Sequence, residues 1–165
     1  MTSTDATSAL ERVRVALVGA GHADEIVELA TEVPTAAAAA EQLGCPVGAI
    51  ANSLVFEADG APLLVVASGG HRVDVKKAAR HLGVRKVRRA TPEFVFQATG
   101  QLVGGVAPVG HPAPLRTLVD TALADHPEVW AGAGVSHAML RTTFAQLVTL
   151  TGGDPVDVGQ GSSGD

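Results

Sequence analysis

The sequence predicts an α+β fold: a mixed β-sheet wrapped as a partly open barrel, with helices packed outside it. Short apolar runs of strand character alternate irregularly with capped helical segments. Some neighbouring strands are joined by tight-turn residues, as at Asp59-Gly60, and others by helical crossovers, which mixes antiparallel with parallel pairing. Aromatic residues make up only 3% of the 165-residue chain, so Val, Leu, Ile and Ala must fill the core, as suits helices on a sheet.

The polar residues 1–4 are expected to fray. Leu10, Val13, Val15 and Leu17 allow a helix over 6–17 that Gly19 and Gly21 terminate, and 25–29 alternates like a short strand. Thr35 caps an alanine-rich helix ending at Gly44. The run from 47 to the Asp59-Gly60 turn reads as a strand, with 62–70 as its antiparallel partner. Asp74 caps a helix that stops at Gly83, 84–90 reads as a strand, and Thr91-Pro92 opens a helix to Gly100. Beyond a loop rich in glycine and proline, strands are predicted over 115–123, 129–135 and 137–140, and a last helix over 144–153. The Gly/Ser-rich end carries no apolar pattern, so one domain is expected over 1–152 and a flexible tail over 153–165.

The lone Cys45 forms no internal disulfide or multi-cysteine metal site, and no charged-then-apolar leader opens the chain. A reducing cytoplasm is the expected compartment. No apolar run approaches the roughly 18 residues of a membrane span. The net charge of −5 argues against coating nucleic acid through bulk charge, yet eight of the 12 Lys and Arg fall in one segment: Arg72, Lys76, Lys77, Arg80, Arg85, Lys86, Arg88 and Arg89. That segment reads either as a local positive face or as a solvated helix flank and strand edge.

Three motifs fail their structural tests. Val18-Gly19-Ala20-Gly21 follows a helix and lacks the third glycine of a dinucleotide loop. Gly134-Val135-Ser136-His137-Ala138 has alanine where a nucleophile elbow needs glycine. The six histidines show no ligand spacing, so neither metal nor cofactor is expected. Two features remain. Asn52-Ser53 interrupts an apolar strand with groups that need partners or a ligand, and Gly104-Gly105-Val106-Ala107-Pro108 lets backbone approach closely and present amides before a stiff exit.

Taken in order, TAAAAAEQLGC, AIANSLVF, HRVDVKKAARHLG, FVFQATG, GGVAPVGH and WAGAGVSHAML resemble the YbaK/EbsC family over roughly residues 25–152. That family includes the editing domain inserted in many bacterial prolyl-tRNA synthetases. The resemblance implies a deacylase that cleaves the ester of mischarged aminoacyl-tRNA carrying a small amino acid. It implies catalytic positions at Asn52, Ser53, Gly104 and Gly105, and substrate contacts at Ala107, Pro108, Gly134 and His137. The tRNA acceptor end is the implied partner, held by the basic segment, with an aminoacyl-tRNA synthetase a further one. The family lysine is replaced here by Asn52. The alternative is therefore a non-catalytic protein that binds tRNA, a nucleotide or an aminoacyl ligand. Asp120 falls where the family often has an acid and is read as a cap or ion-pair residue.

Overall fold

The computed structural model describes residues 2–23 and 25–160, with the side chains of the first helix described from residue 9. Among the described residues five α-helices, α1 (Thr2–Gly19), α2 (Ala36–Leu43), α3 (Val75–Leu82), α4 (Pro92–Thr99) and α5 (Phe144–Thr151), surround eight strands. The strands are β1 (Ile26–Glu28), β2 (Ile50–Ala58), β3 (Ala61–Ser68), β4 (Val87–Arg89), β5 (Arg116–Asp120), β6 (Val129–Gly132), β7 (Ala138–Thr142) and β8 (Asp154–Val156). The capping signals act as the sequence implies. The side chains of Thr35, Asp74 and Thr91 each accept from the first-turn amides of α2, α3 and α4, and Gly44, Gly83 and Gly100 close those helices at φ near +70°.

The strands form one mixed sheet in the order β1-β7-β6-β2-β3-β5-β8, with β4 added to β2. The hairpin β2–β3 is antiparallel around Asp59-Gly60, while β3–β5, β5–β8 and β2–β6 are parallel. The sheet is open. One face of the hairpin buries Phe56, Leu63 and Val65 under α3. The other buries Val55, Leu64 and Val66 against α4 and α5. Val13 and Leu17 of α1 pack on Ala107, Val109 and Leu140, and Ala39 and Ala40 of α2 pack on Ile50 and Met139.

Both chain ends depart from expectation. α1 begins at Thr2, so residues 2–4 are helical. The expected tail from 153 supplies β8, parallel to β5, the fully buried Val158, and a bridge from Gly159 to Val73. Two apolar anchors suffice there: Val156 and Val158 pack into the cluster beneath α3. They are too few to give a periodic signal. Residues 161–165 lie outside the described residues, as does Met1.

Candidate active site

β2 is paired along one edge by β3 from Ala51 to Ala58, but its other edge is shared. Ile50 and Ala51 pair with β6, whereas Phe56, Glu57 and Ala58 pair with β4. Among the described residues, 52–55 have no strand on that side. The gap opens into a cavity of about 270 Å³. On one side it is walled by Val33, Thr35 and Ala39 before and within α2, and on another by Val95, Val103, Gly104 and Val106. Gly132, Val135, Ser136 and Met139 complete it, and Arg89 and Ala90 border it where β4 begins to pair.

Asn52 and Ser53 both line this cavity, from opposite faces of β2. Ser53 Oγ is inaccessible to solvent and has no hydrogen-bond partner among the described residues. Such a hydroxyl costs roughly 1–3 kcal/mol unless something entering the cavity bonds to it. Gly104 lines the cavity too, exposed and at φ +95°, a conformation that side chains avoid.

The other expected site residues, Gly105, Ala107, Pro108, Gly134 and His137, lie outside the cavity lining. Gly105 donates its N–H to Leu102 O (3.0 Å), and a Cβ there would meet Val135 Cα at 2.9 Å. It is required for close packing, and its amide is not available to a substrate. Ala107 and Pro108 are buried behind the wall. Gly134 gives α1 room to approach, since a Cβ would stand 3.1 Å from Ala9 O. His137 is part-exposed and faces Glu28 at 3.8 Å, while its neighbour Ser136 reaches the cavity.

The residues that hold the loop were not singled out in the sequence. Gln101 is buried, accepts from Ala107 N at Oε1 (2.7 Å) and donates from Nε2 to Val109 O (3.2 Å). Thr99 Oγ1 accepts from Gln101 N (3.0 Å) and caps its own helix by donating to Val95 O (2.7 Å). His111 Nε2 donates to Ala107 O (2.8 Å), and burial pushes the imidazole pKa down, that hydrogen bond partly opposing it. A polar residue following a helix-stop glycine was the available signal for Gln101.

The basic segment does not form one face. Lys77 is tied to Gly159 O (2.8 Å) and Asp157 (3.3 Å), and Arg88 pairs with Glu57 (3.4 Å). Arg85 and Lys86 give their backbone N–H groups to Asp59, whose carboxyl is held below its usual range by those two bonds. Arg72, Lys76 and Arg80 are exposed, and Arg89 alone of the eight borders the cavity. Alternation along β4 sends Arg88 and Arg89 to opposite faces.

Elsewhere, His71, Asp120 and Asp157 bring ligand-type atoms within 4.8 Å of one another. The buried Asp120 accepts from Ser68 N, His71 Nδ1 and Ala122 N, each at 3.0 Å, and Asp157 is occupied by Gly159 N and Lys77. These oxygens already hold donors, and the Lys77 ammonium supplies the positive charge. Asp120 works as a cap and clasp.

Residues 30–150 match the model of the aminoacyl-tRNA editing domain, and the chain belongs to that family. It is 30% identical over 139 residues to the uncharacterised protein YwhH of Bacillus subtilis (strain 168), covering 84% of this chain and 88% of that protein. It is also 31% identical over 123 residues to a proline–tRNA ligase of Nitratidesulfovibrio vulgaris (strain Hildenborough), covering 68% of this chain but 21% of the ligase. A solved structure presented as a candidate trans-editing enzyme for prolyl tRNA synthetase superposes with TM-score 0.87 at 41% identity, covering 93% of this chain and 98% of that one. No helix among the described residues is long and apolar enough to cross a membrane.

Proposed function

We propose that the protein is a trans-editing hydrolase that cleaves the ester between a small amino acid and the 3′-terminal ribose of tRNA. The observation that carries this reading is the cavity at the interrupted edge of β2, where Asn52, the orphan hydroxyl of Ser53 and the exposed Gly104 meet apolar walls. About 270 Å³ accommodates an aminoacyl group and excludes the bulk of a nucleic acid. Water adds to the ester carbonyl carbon, the resulting oxyanion collapses, and the carbon–oxygen bond to the ribose breaks. The amino acid departs as the acid and the ribose oxygen takes a proton. The oxyanion donor is assigned to the Gly104 N–H, on the exposed part of the loop that lines the cavity, since the amides of Gly105 and Ala107 are already engaged elsewhere. One such donor is worth about 10²–10³ in rate. Asn52 carries no charge, so its amide orients a carbonyl, a ribose hydroxyl or the water through hydrogen bonds.

The relationship to proline–tRNA ligases supports a tRNA charged in that system as substrate and a synthetase as transient partner, in the cytoplasm. The exposed cations of the basic segment would meet the acceptor stem, and that binding should weaken steeply with salt. The test is release of amino acid from a panel of aminoacyl-tRNAs by wild type, Asn52→Ala and Gly104→Val. Turnover of at least one small aminoacyl ester, reduced about 10-fold or more in both variants, is expected. Retained tRNA binding with no turnover of any ester would establish a binding protein instead.

A further inference from the structure

The gap in the β2 edge has two ends, and each carries a polar side chain on the same face of the sheet. β2 pairs with β3 without a bulge from Ala51 to Ala58, so Asn52, Leu54 and Phe56 share a face. Arg89 is paired directly with Phe56, and directly paired residues point the same way, so Arg89 stands on the face of Asn52. Its neighbour Arg88 is opposite Glu57 and held by it on the other face. Four residue steps along the strand lead from Asn52 to Phe56, about 13 Å by the rise per residue. Arg89 stands at the Phe56 end of that interval, exposed and bordering the cavity. Among the described residues that line the cavity Arg89 is the one cation, and no carboxylate lines it. No ion pair fixes Arg89 elsewhere among the described residues.

We propose that Arg89 binds the phosphate on the 5′ oxygen of the terminal nucleotide whose aminoacyl ester lies beside Asn52. The proposal rests on reading the cavity as an aminoacyl-ester site. Ester and 5′-phosphate sit at opposite ends of one ribose. A cation displaced along the gap from the uncharged Asn52 therefore meets the phosphate and leaves the carbonyl to neutral donors. A guanidinium suits this because its planar fork pairs two N–H groups with two phosphate oxygens and keeps its charge at every working pH. The site thus selects a nucleotide ester over a nucleoside ester, and charge that a lysine at position 52 would supply beside the ester is supplied here one sugar away.

The experiment compares wild type, Arg89→Gln, Arg89→Lys and Arg88→Gln, with melting temperatures confirming that each folds. Binding of AMP and of adenosine is measured first, which needs no turnover. Wild type should prefer AMP by roughly tenfold, as expected for a charge-assisted pair. R89Q should erase that preference, R89K keep part of it, and R88Q leave it intact. Hydrolysis of 2′(3′)-O-alanyl-AMP and of 2′(3′)-O-alanyl-adenosine is then followed. R89Q should raise KM for the first about tenfold with kcat little changed, and leave the second alone. Equal losses on both esters would place Arg89 at the ester and overturn the proposal. So would an R89Q protein that still prefers AMP, or an R88Q protein that loses the preference as R89Q does. If no ester is cleaved while the Arg89-dependent preference for AMP persists, the hydrolase reading falls and the phosphate site stands.

Discussion

The loop from Leu102 to Val109 has two halves of opposite character. Its first half, Leu102 to Gly104, is exposed, with Leu102 and Val103 showing 66% and 63% of their surface to solvent. Its second half, Gly105 to Val109, is buried, clamped by Gln101 and His111 and pressed between α1 and β6–β7. Val103 and Gly104 of the free half border the cavity, and of the fixed half only Val106 reaches it among the lining residues. Gly104 is thereby placed at the edge of a rigid support. Positioning a donor from a fixed frame is what electrostatic stabilisation of a developing oxyanion needs.

The two adjacent glycines offer the sharpest break of this comparison. A methyl group at Gly105 would lie 2.8 Å from the carbonyl carbon of Val135, where backbone on both sides has nowhere to move. Gly105→Ala should therefore destabilise by about 2–3 kcal/mol through overpacking. For a chain of this size that lowers Tm by roughly 5–10 °C. At Gly104 nothing lies within 4 Å of the added Cβ, and the cost comes only from φ +95°. Gly104→Ala should cost about 1–2 kcal/mol. Thermal melts of the two variants check the order; equal shifts would mean that the halves are not different in kind.

The clamp is the next target. Gln101→Leu keeps volume but leaves the buried Ala107 N–H and Val109 O without partners. A loss of about 2 kcal/mol is expected in urea unfolding, within the usual penalty for stranded buried groups. Turnover should fall with it, because the frame under Gly104 loosens. Unchanged stability would show that water replaces the amide.

How much of this could be read beforehand depends on whether the governing interaction is local. Thr35, Asp74 and Thr91 cap their helices because capping is decided within three residues. Asn52-Ser53 and Gly104 announced themselves as polar groups in an apolar strand and as a turn glycine. The interrupted edge that turns them into a cavity depends on β6 and β4 sharing one side of β2, a pairing across more than thirty residues that leaves no periodic trace. Gly105, Ala107, Pro108, Gly134 and His137 share the motif with the site residues but not their setting, since adjacent residues in an irregular loop can face opposite ways. The basic segment looked continuous because strand alternation, which separates Arg88 from Arg89, is invisible to a count of charges. The tail beyond 152 is held by pairing with β5 and by two side chains, again a nonlocal gain.

The smallest expected effect concerns the other half of the clamp and is read in pH. Burial holds the His111 imidazole below its ordinary pKa of about 6.5, so the folded protein takes up that proton at lower pH than the unfolded chain does. The group is neutral in both states above about pH 6.5, and stability is then at its full value. As pH falls through that value the unfolded state binds the proton first, and stability declines until the lower folded pKa is reached, with a slope no steeper than about 1.4 kcal/mol per pH unit. His111→Gln keeps an N–H donor for Ala107 O and removes the titration. Urea unfolding of the two proteins should agree closely near pH 8 and diverge between pH 6.5 and 5, the variant losing less stability. Glu11 and Arg12 of α1 border the same surface groove and are common to both proteins. Parallel curves over that interval would show that His111 is solvated in the folded state, and the fixed half of the loop would then rest on Gln101 alone.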